Sequence, residues 1–264
     1  MTARGAGGLP PALRPLLEEP ARSAVLTDFD GTLAPIVPDP ETARPLPGAA
    51  GILGELSAVF RVVAVVSGRP VPFLAAHLSD AGPKLRLYGG YGMEWLEDGV
   101  RHRDPAVEPW LESLAEVAAA AVSEAPSGVG VEDKGYAVTL HWRRAPEQAG
   151  WGDRFARAWA DRTGLRLQPG RMAVELRPPV GPDKGAVVQR LGRGCRAASF
   201  AGDDAGDLAA FAALEILHGE GVAVARVAVA DIESPPELLA AADVVVHGPV
   251  EALALLEALA GAAR

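Results

Sequence analysis

Four short strand-like runs in this chain end abruptly, and segments of helical spacing fill the gaps between them. Ala24 to Leu26 leads into Asp28, Asp30, Gly31 and Thr32, and Val62 to Val66 into Ser67-Gly68-Arg69. Leu85 to Tyr88 leads into Gly89-Gly90-Tyr91-Gly92-Met93-Glu94, and Ala197 to Ala201 into Gly202-Asp203-Asp204-Ala205-Gly206-Asp207. A run that is apolar throughout, as 24–26 and 62–66 are, reads as a buried strand. Ile52, Leu53, Leu56, Val59 and Phe60 recur at helical spacing, and 71–78 and 185–191 also read as helices. Strand, helix, strand in this rhythm predicts an α/β fold built on a doubly wound, Rossmann-like parallel sheet. Ligands of such a sheet bind outside the carboxyl ends of its strands.

The rhythm breaks once. Residues 107–124 form a long Ala-rich stretch of helical character, 128–143 read as extended, and 146–163 as a second helix. Strands at 165–168 and 172–176 are expected to meet at the turn Pro169-Gly170. From Gly185 the α/β pattern resumes. Paired helices with hairpin-like strands suit a small α+β unit inserted into the first domain. The expected division is 1–94 with 182–264 as the core, and 95–181 as the insert.

Bulk composition narrows the chemistry. The net charge of −9 offers no overall attraction for nucleic acid or an anionic membrane, so a phosphate has to be gripped locally. Cys195 is the single cysteine, which excludes an intrachain disulfide and a thiolate metal cluster. Neither a secretory signal in 1–15 nor an apolar stretch of membrane-spanning length is evident, so a cytoplasmic protein is expected; the oligomeric state stays open, with a monomer among the options. Arg supplies nearly all the positive charge, and Lys stands only at 84, 134 and 184. A lysine where arginine is the habit points to a need for a compact ammonium.

Parallel strands bring Asp28/Asp30, Ser67/Gly68/Arg69 and Asp203/Asp204/Asp207 to one edge, and Lys184 reaches it from the start of a helix. Carboxylates gathered there repel one another unless a cation sits among them, and hard oxygen donors favour Mg²⁺. A serine hydroxyl and a lysine facing that cation suit a phosphoryl group.

The order Asp-x-Asp-Gly-Thr, Ser, Lys, acidic cluster resembles the haloacid dehalogenase superfamily of phosphatases. That resemblance implies Asp28 as the nucleophile forming an aspartyl-phosphate, and Asp30 as the acid and then the base. It implies Ser67 and Lys184 on the phosphoryl oxygens, with Gly68 and Arg69 beside them. It also implies Mg²⁺ held by Asp28, the Asp30 backbone carbonyl and Asp203, supported by Asp207 or Asp204.

The insert resembles the cap of the trehalose-6-phosphate phosphatase family. The matching segments are Glu132-Asp133-Lys134-Gly135, His141-Trp142-Arg143 and Glu175-Leu176-Arg177-Pro178, with Gly92 and Glu94 after the third core strand. The resemblance implies a Mg²⁺-dependent hydrolase acting on trehalose 6-phosphate, a small-molecule sugar phosphate. Glu94, Glu132, Lys134, Arg143, Glu175 and Arg177 are the expected substrate contacts. His141 is expected to be structural, packed within the cap sheet, and Tyr91 is given no role. Three alternatives stay open: another sugar phosphate (sucrose phosphate or mannosyl-phosphoglycerate), a sugar phosphomutase, or a non-catalytic sensor.

Overall fold

A computed structural model of the chain describes residues 8–37, 39–170, 172–232 and 234–264. Part of the N-terminal stretch expected to lack a signal, residues 1–7, lies outside the described residues. In chain order the elements begin with α1 (Pro15–Glu18), β1 (Ser23–Thr27), α2 (Ala49–Val59), β2 (Val62–Val66) and α3 (Val71–Leu78). They continue with β3 (Arg86–Gly89), β4 (Glu94–Glu97), β5 (Val100–Arg103), α4 (Leu111–Glu124), β6 (Gly130–Asp133) and β7 (Val138–His141). Next come α5 (Ala149–Thr163), β8 (Arg166–Gly170), β9 (Ala173–Arg177), α6 (Lys184–Gly192), β10 (Ala197–Gly202) and α7 (Leu208–Gly219). The last are β11 (Ala223–Ala230), α8 (Pro236–Ala241), β12 (Val244–His247) and α9 (Gly248–Ala262). No helix among the described residues is long and apolar enough to cross a membrane.

The chain divides into two units, one of residues 1–102 with 182–264 and the other of 103–181. The first holds a sheet in the order β12-β11-β10-β1-β2-β3-β4-β5. Its pairings are parallel from β12 through β3, and β4 joins β3 antiparallel. Every residue of β1 and β2 is buried, because helices cover both faces. Alternate residues feed alternate cores. Val25, Val63, Val65 and Leu87 pack with Leu53, Leu56, Leu74 and Leu256 on one side. Leu26, Ala64, Val66 and Phe200 pack with Val187, Leu191, Phe211 and Leu214 on the other.

The expected boundary at 94/95 falls instead after His102, because β4 and β5 continue the first unit's sheet. Their sequence, Glu-Trp-Leu-Glu and Val-Arg-His-Arg, lacks the all-apolar signature of β2, and β5 is an exposed edge.

The second unit is a four-stranded sheet in the order β6-β7-β9-β8, antiparallel throughout. Leu114, Val117 and Ala121 of α4 and Phe155 and Ala156 of α5 pack on Val138, Leu140, Val174 and Leu176. Two sequence expectations are corrected here. The stretch read as one helix from 107 starts as a 3-10 segment, Pro105–Trp110, and turns α-helical only at Leu111. Pro109 has no N–H to give and disfavours α geometry at Glu108 before it. Pro169 and Gly170 do not form a turn but pair with Val174 and Ala173 inside the ladder. β8 is an edge strand, where a proline costs the sheet no hydrogen bond. The reversal comes later, where Met172 takes a left-handed φ of 56°.

Candidate active site

Register explains why residues far apart in sequence converge. Thr27 pairs with Val65 on one side and Ala201 on the other, so β1, β2 and β10 end side by side. Asp28, Ser67 and Asp203 leave those ends within one residue of the same level. The Asp28 N–H donates to the Ala201 carbonyl at 2.8 Å, extending the ladder by one step. Carboxylate oxygens of Asp28, Asp203 and Asp207 all lie within 4.8 Å of one another.

Lys184, the first residue of α6, is buried between two of them. Its Nζ sits 2.8 Å from Asp28 Oδ2 and 2.7 Å from Asp207 Oδ1. Asp183 caps the helix by accepting the Ala186 N–H at 2.8 Å, which fixes where α6 begins. Burial alone lowers the lysine's pKa, but the Asp28 and Asp207 carboxylates outweigh it and hold the ammonium charged. Burial pushes Asp28 well above the usual carboxylate range, with Lys184 opposing and Asp207 and Asp203 adding to the rise. Burial, reinforced by Asp207 and Asp204, pushes Asp203 up to about 8. Burial also raises Asp207, against the pull of Lys184.

Three buried acids against one ammonium leave an uncompensated negative charge that a divalent cation would offset. Asp28 Oδ1 is moreover a buried oxygen with no hydrogen-bond partner. Buried carboxylate oxygens seldom go unsatisfied, so this one is left for a cation or for phosphorus. The donor set therefore fits a hard metal ion.

The remaining acids have distinct places. Asp207 is fully engaged, since Oδ2 accepts the N–H groups of Asp203 (2.9 Å) and Asp204 (3.1 Å) while Oδ1 meets Lys184. It orients the lysine and the turn that presents Asp203. Asp204 is exposed, accepts the Gly206 N–H at 2.8 Å, and does not join the converging three. Asp203 Oδ1 also accepts from the Thr32 hydroxyl at 3.3 Å.

Gly31 carries a positive φ of 73°, and a Cβ built there would stand 1.9 Å from Asp203 Oδ2. Only a glycine lets the chain after Asp30 turn this close to the carboxylate. Gly31→Ala is expected to cost about 1–2 kcal/mol from the left-handed backbone alone, before Asp203 is displaced. Urea unfolding should show a lower midpoint, and an unchanged midpoint would contradict the packing described.

Asp30 does not face the cluster through a free carboxylate. Arg69 holds it in a two-pronged ion pair, Nε to Oδ2 at 2.7 Å and Nη2 to Oδ1 at 2.8 Å. The guanidinium also lies 4.6 Å from the centre of the Phe73 ring. Ser67 is buried, and its Oγ accepts the Arg69 N–H at 3.2 Å. Gly68 lies against the Tyr91 ring, which a Cβ would meet at 2.7 Å. Glu94 is buried and locally employed, with Oε1 accepting the Val71 N–H at the start of α3 (2.6 Å) and Oε2 taking Arg101. Arg101 carried no signal in the sequence.

In the second unit the expected sugar contacts share the face opposite its core. Glu132 pairs with Thr139 across β6 and β7, and Thr139 with Glu175 across β9. Glu175 Oε2 accepts from Lys134 Nζ (2.6 Å) and from Thr139 Oγ1 (3.0 Å). His141 was expected to pack within the sheet, yet its Nε2 meets Glu132 Oε2 at 3.1 Å on this polar face. Alternation decides this, since Val138 and Leu140 take the inner face and leave Thr139 and His141 outside. The same alternation could have revealed Thr139. Arg177 donates to Gln168 Oε1 at 2.8 Å, and Arg143 is exposed in the turn after β7.

A parallel α/β sheet with an aspartate ending its first strand, a buried lysine and a second aspartate at the adjacent strand-end defines a haloacid dehalogenase-type fold. The comparisons with known proteins narrow the class. The trehalose-phosphatase family model matches residues 26–237, and the chain belongs to that family. It is 35% identical over 233 residues to a trehalose-phosphate phosphatase of Mycobacterium marinum, covering 81% of this chain and 59% of that protein. A Mycolicibacterium paratuberculosis trehalose-phosphate phosphatase is 34% identical over 212 residues, 76% of this chain and 54% of its own length. The chain thus spans less than two thirds of these relatives. Among solved structures, a trehalose-6-phosphate phosphatase related protein superposes with a TM-score of 0.72 at 24% identity, covering 90% of this chain and 97% of that one. The C-terminal domain of a Candida albicans trehalose-6-phosphate phosphatase gives 0.70 at 23% identity, covering 98% and 99%. At those identities the structural matches speak to the fold.

Proposed function

We infer that this protein is a Mg²⁺-dependent phosphatase that hydrolyses trehalose 6-phosphate to trehalose and inorganic phosphate through an aspartyl-phosphate. The observation that carries this reading is the division of labour on Asp28. Oδ2 is held by Lys184, while Oδ1 is buried without a partner. A carboxylate fixed at one oxygen and bare at the other is a positioned nucleophile. Family membership and the mycobacterial trehalose-phosphate phosphatases support the substrate.

In this reading Asp28 Oδ1 attacks phosphorus and the bond from phosphorus to the sugar oxygen breaks. Asp30 gives the departing oxygen its proton. Water then attacks the aspartyl-phosphate, Asp30 takes a proton from that water, and phosphate leaves with Asp28 restored. Arg69 occupies Asp30 in the structure, so the acid works only once the guanidinium turns away, and phosphoryl oxygens offer it an equivalent two-pronged partner. Ser67 donates to the phosphoryl group, and Lys184 offsets its charge against that of the nucleophile. Asp28, Asp203 and the Asp30 carbonyl would hold Mg²⁺, which when bound supplies the further positive charge that phosphoryl transfer between anions needs.

Glu132, Lys134 and Glu175 offer acceptors and donors at fixed spacing, as sugar hydroxyls require, and we assign them to the sugar; Arg143 and Arg177 flank them. Such contacts select a disaccharide phosphate because analogues lacking a hydroxyl leave polar groups unpaired. Phosphate release from a panel of sugar phosphates tests the whole reading, with trehalose 6-phosphate expected to give the highest kcat/KM. Preference for sucrose phosphate would overturn the substrate, and a requirement for a bisphosphate activator would make the protein a mutase. Glu132→Ala and Glu175→Ala should each lower kcat/KM for trehalose 6-phosphate by about tenfold or more, with little change on a small phosphate ester. Equal losses on both substrates would remove these acids from the sugar site.

A further inference from the structure

At the far edge of the first unit's sheet, where β2 and β3 begin, four arginines surround an open cleft. Arg61, Arg86, Arg190 and Arg193 line about 250 Å³ of space over Tyr88 and Trp95, and Glu97 is its single acid. Arg86 uses that acid, at 2.8 Å. Arg61 donates to the Gly194 carbonyl at 3.0 Å, and the Arg190 guanidinium lies 5.1 Å and 4.7 Å from the Tyr88 and Trp95 ring centres. Among the described residues no carboxylate lies within 4.0 Å of the side chains of Arg190 or Arg193. The cleft thus concentrates three surplus positive charges in a chain of net charge −9.

The C-terminal end of α6 favours cations through its dipole, which accounts for Arg190 and Arg193. It does not account for Arg61 and Arg86, which arrive from the starts of two different strands. Like charges brought together from three segments repel unless an anion is shared among them. The floor is rigid and closed to stacking, because Trp95 lies between Tyr88 (6.2 Å, 16°) and His102 (5.3 Å, 16°). Recognition is therefore by charge and by the guanidinium forks. Arg61 and Ser67 flank opposite ends of β2, roughly 20 Å apart at strand rise, so one ligand does not reach both sites.

We propose that this cleft binds a small, multiply charged oxyanion, inorganic phosphate or the phosphate group of a free metabolite. Trp95 is the only tryptophan of the first unit and lies beneath Arg190, so its emission reports the site directly. The full chain, freed of metal, is titrated with inorganic phosphate at constant ionic strength set by chloride. A saturable change in tryptophan emission is expected, absent in Trp95→Phe and retained in Lys184→Ala and in Ser67→Ala. The midpoint should rise about tenfold or more in the Arg190→Gln/Arg193→Gln double variant, with a cooperative thermal transition showing that the variant remains folded. The proposal fails if phosphate does no more than chloride. It fails equally if the response disappears in Ser67→Ala while the double variant keeps it, because the anion then sits at the aspartate cluster.

Discussion

Asp28→Asn is expected to remove turnover by roughly 10⁴-fold or more while leaving the fold as stable as before or more so. The two halves of that expectation have one cause. Asp28 is a buried carboxylate whose ionisation is opposed by burial, by Asp207 and by Asp203. An amide of the same shape removes the nucleophilic oxygen and the repulsion together. Lys184 keeps its second partner, Asp207, so no buried ammonium is left alone. Phosphate release and thermal melting of the metal-free variant check the two halves separately. Activity near the parent level would refute the nucleophile. A melting temperature well below the parent's would show Asp28 to be structural instead.

Chelation is expected to stop the reaction and Mg²⁺ to restore it, with a pH dependence set by Asp203. Its ordinary value is 3.8, and burial with Asp207 and Asp204 raises it to about 8 in the metal-free protein. The folded state therefore holds a proton that the unfolded chain has already lost, across the interval between those values. Stability of the metal-free protein should fall as pH rises through that interval. A cation at the cluster replaces that proton, so Mg²⁺ affinity and the Mg²⁺-induced rise in melting temperature should both be larger near pH 8 than near pH 6. At a hundredfold excess over Kd the metal should add about 2.7 kcal/mol. A Mg²⁺ effect that is equal at both pH values, or greater at the lower one, would count against a shared site for proton and metal.

How far these groups could be read before any coordinates is a matter of range. The ends of β1, β2 and β10 were legible because a short, mostly apolar run that stops at glycine, serine or aspartate marks a central parallel strand, and such strands align their carboxyl ends. That logic places Asp28, Ser67 and Asp203 together without knowledge of any rotamer. It does not say which carboxylate pairs with which cation. Arg69 embraces Asp30 across 39 residues of sequence, and Asp207 spends both oxygens on Lys184 and two backbone N–H groups. Edge structure was the other blind spot. β4 and β5 lack the inner-strand pattern, and Pro169 reads as a breaker although an edge strand tolerates it. The arginine cleft was invisible for a further reason: its members come from three segments, each unremarkable alone.

The claim on which the mechanism rests is that Asp28 Oδ1 captures phosphorus, and trapping the covalent intermediate addresses it most directly. The protein is mixed with trehalose 6-phosphate and Mg²⁺, quenched in acid, reduced with borohydride, and the peptide carrying residue 28 is read by mass spectrometry. Conversion of Asp28 to its reduced alcohol, dependent on substrate, is the predicted result. Phosphate released at the full rate with residue 28 unmodified, or with the modification at another aspartate, would contradict it.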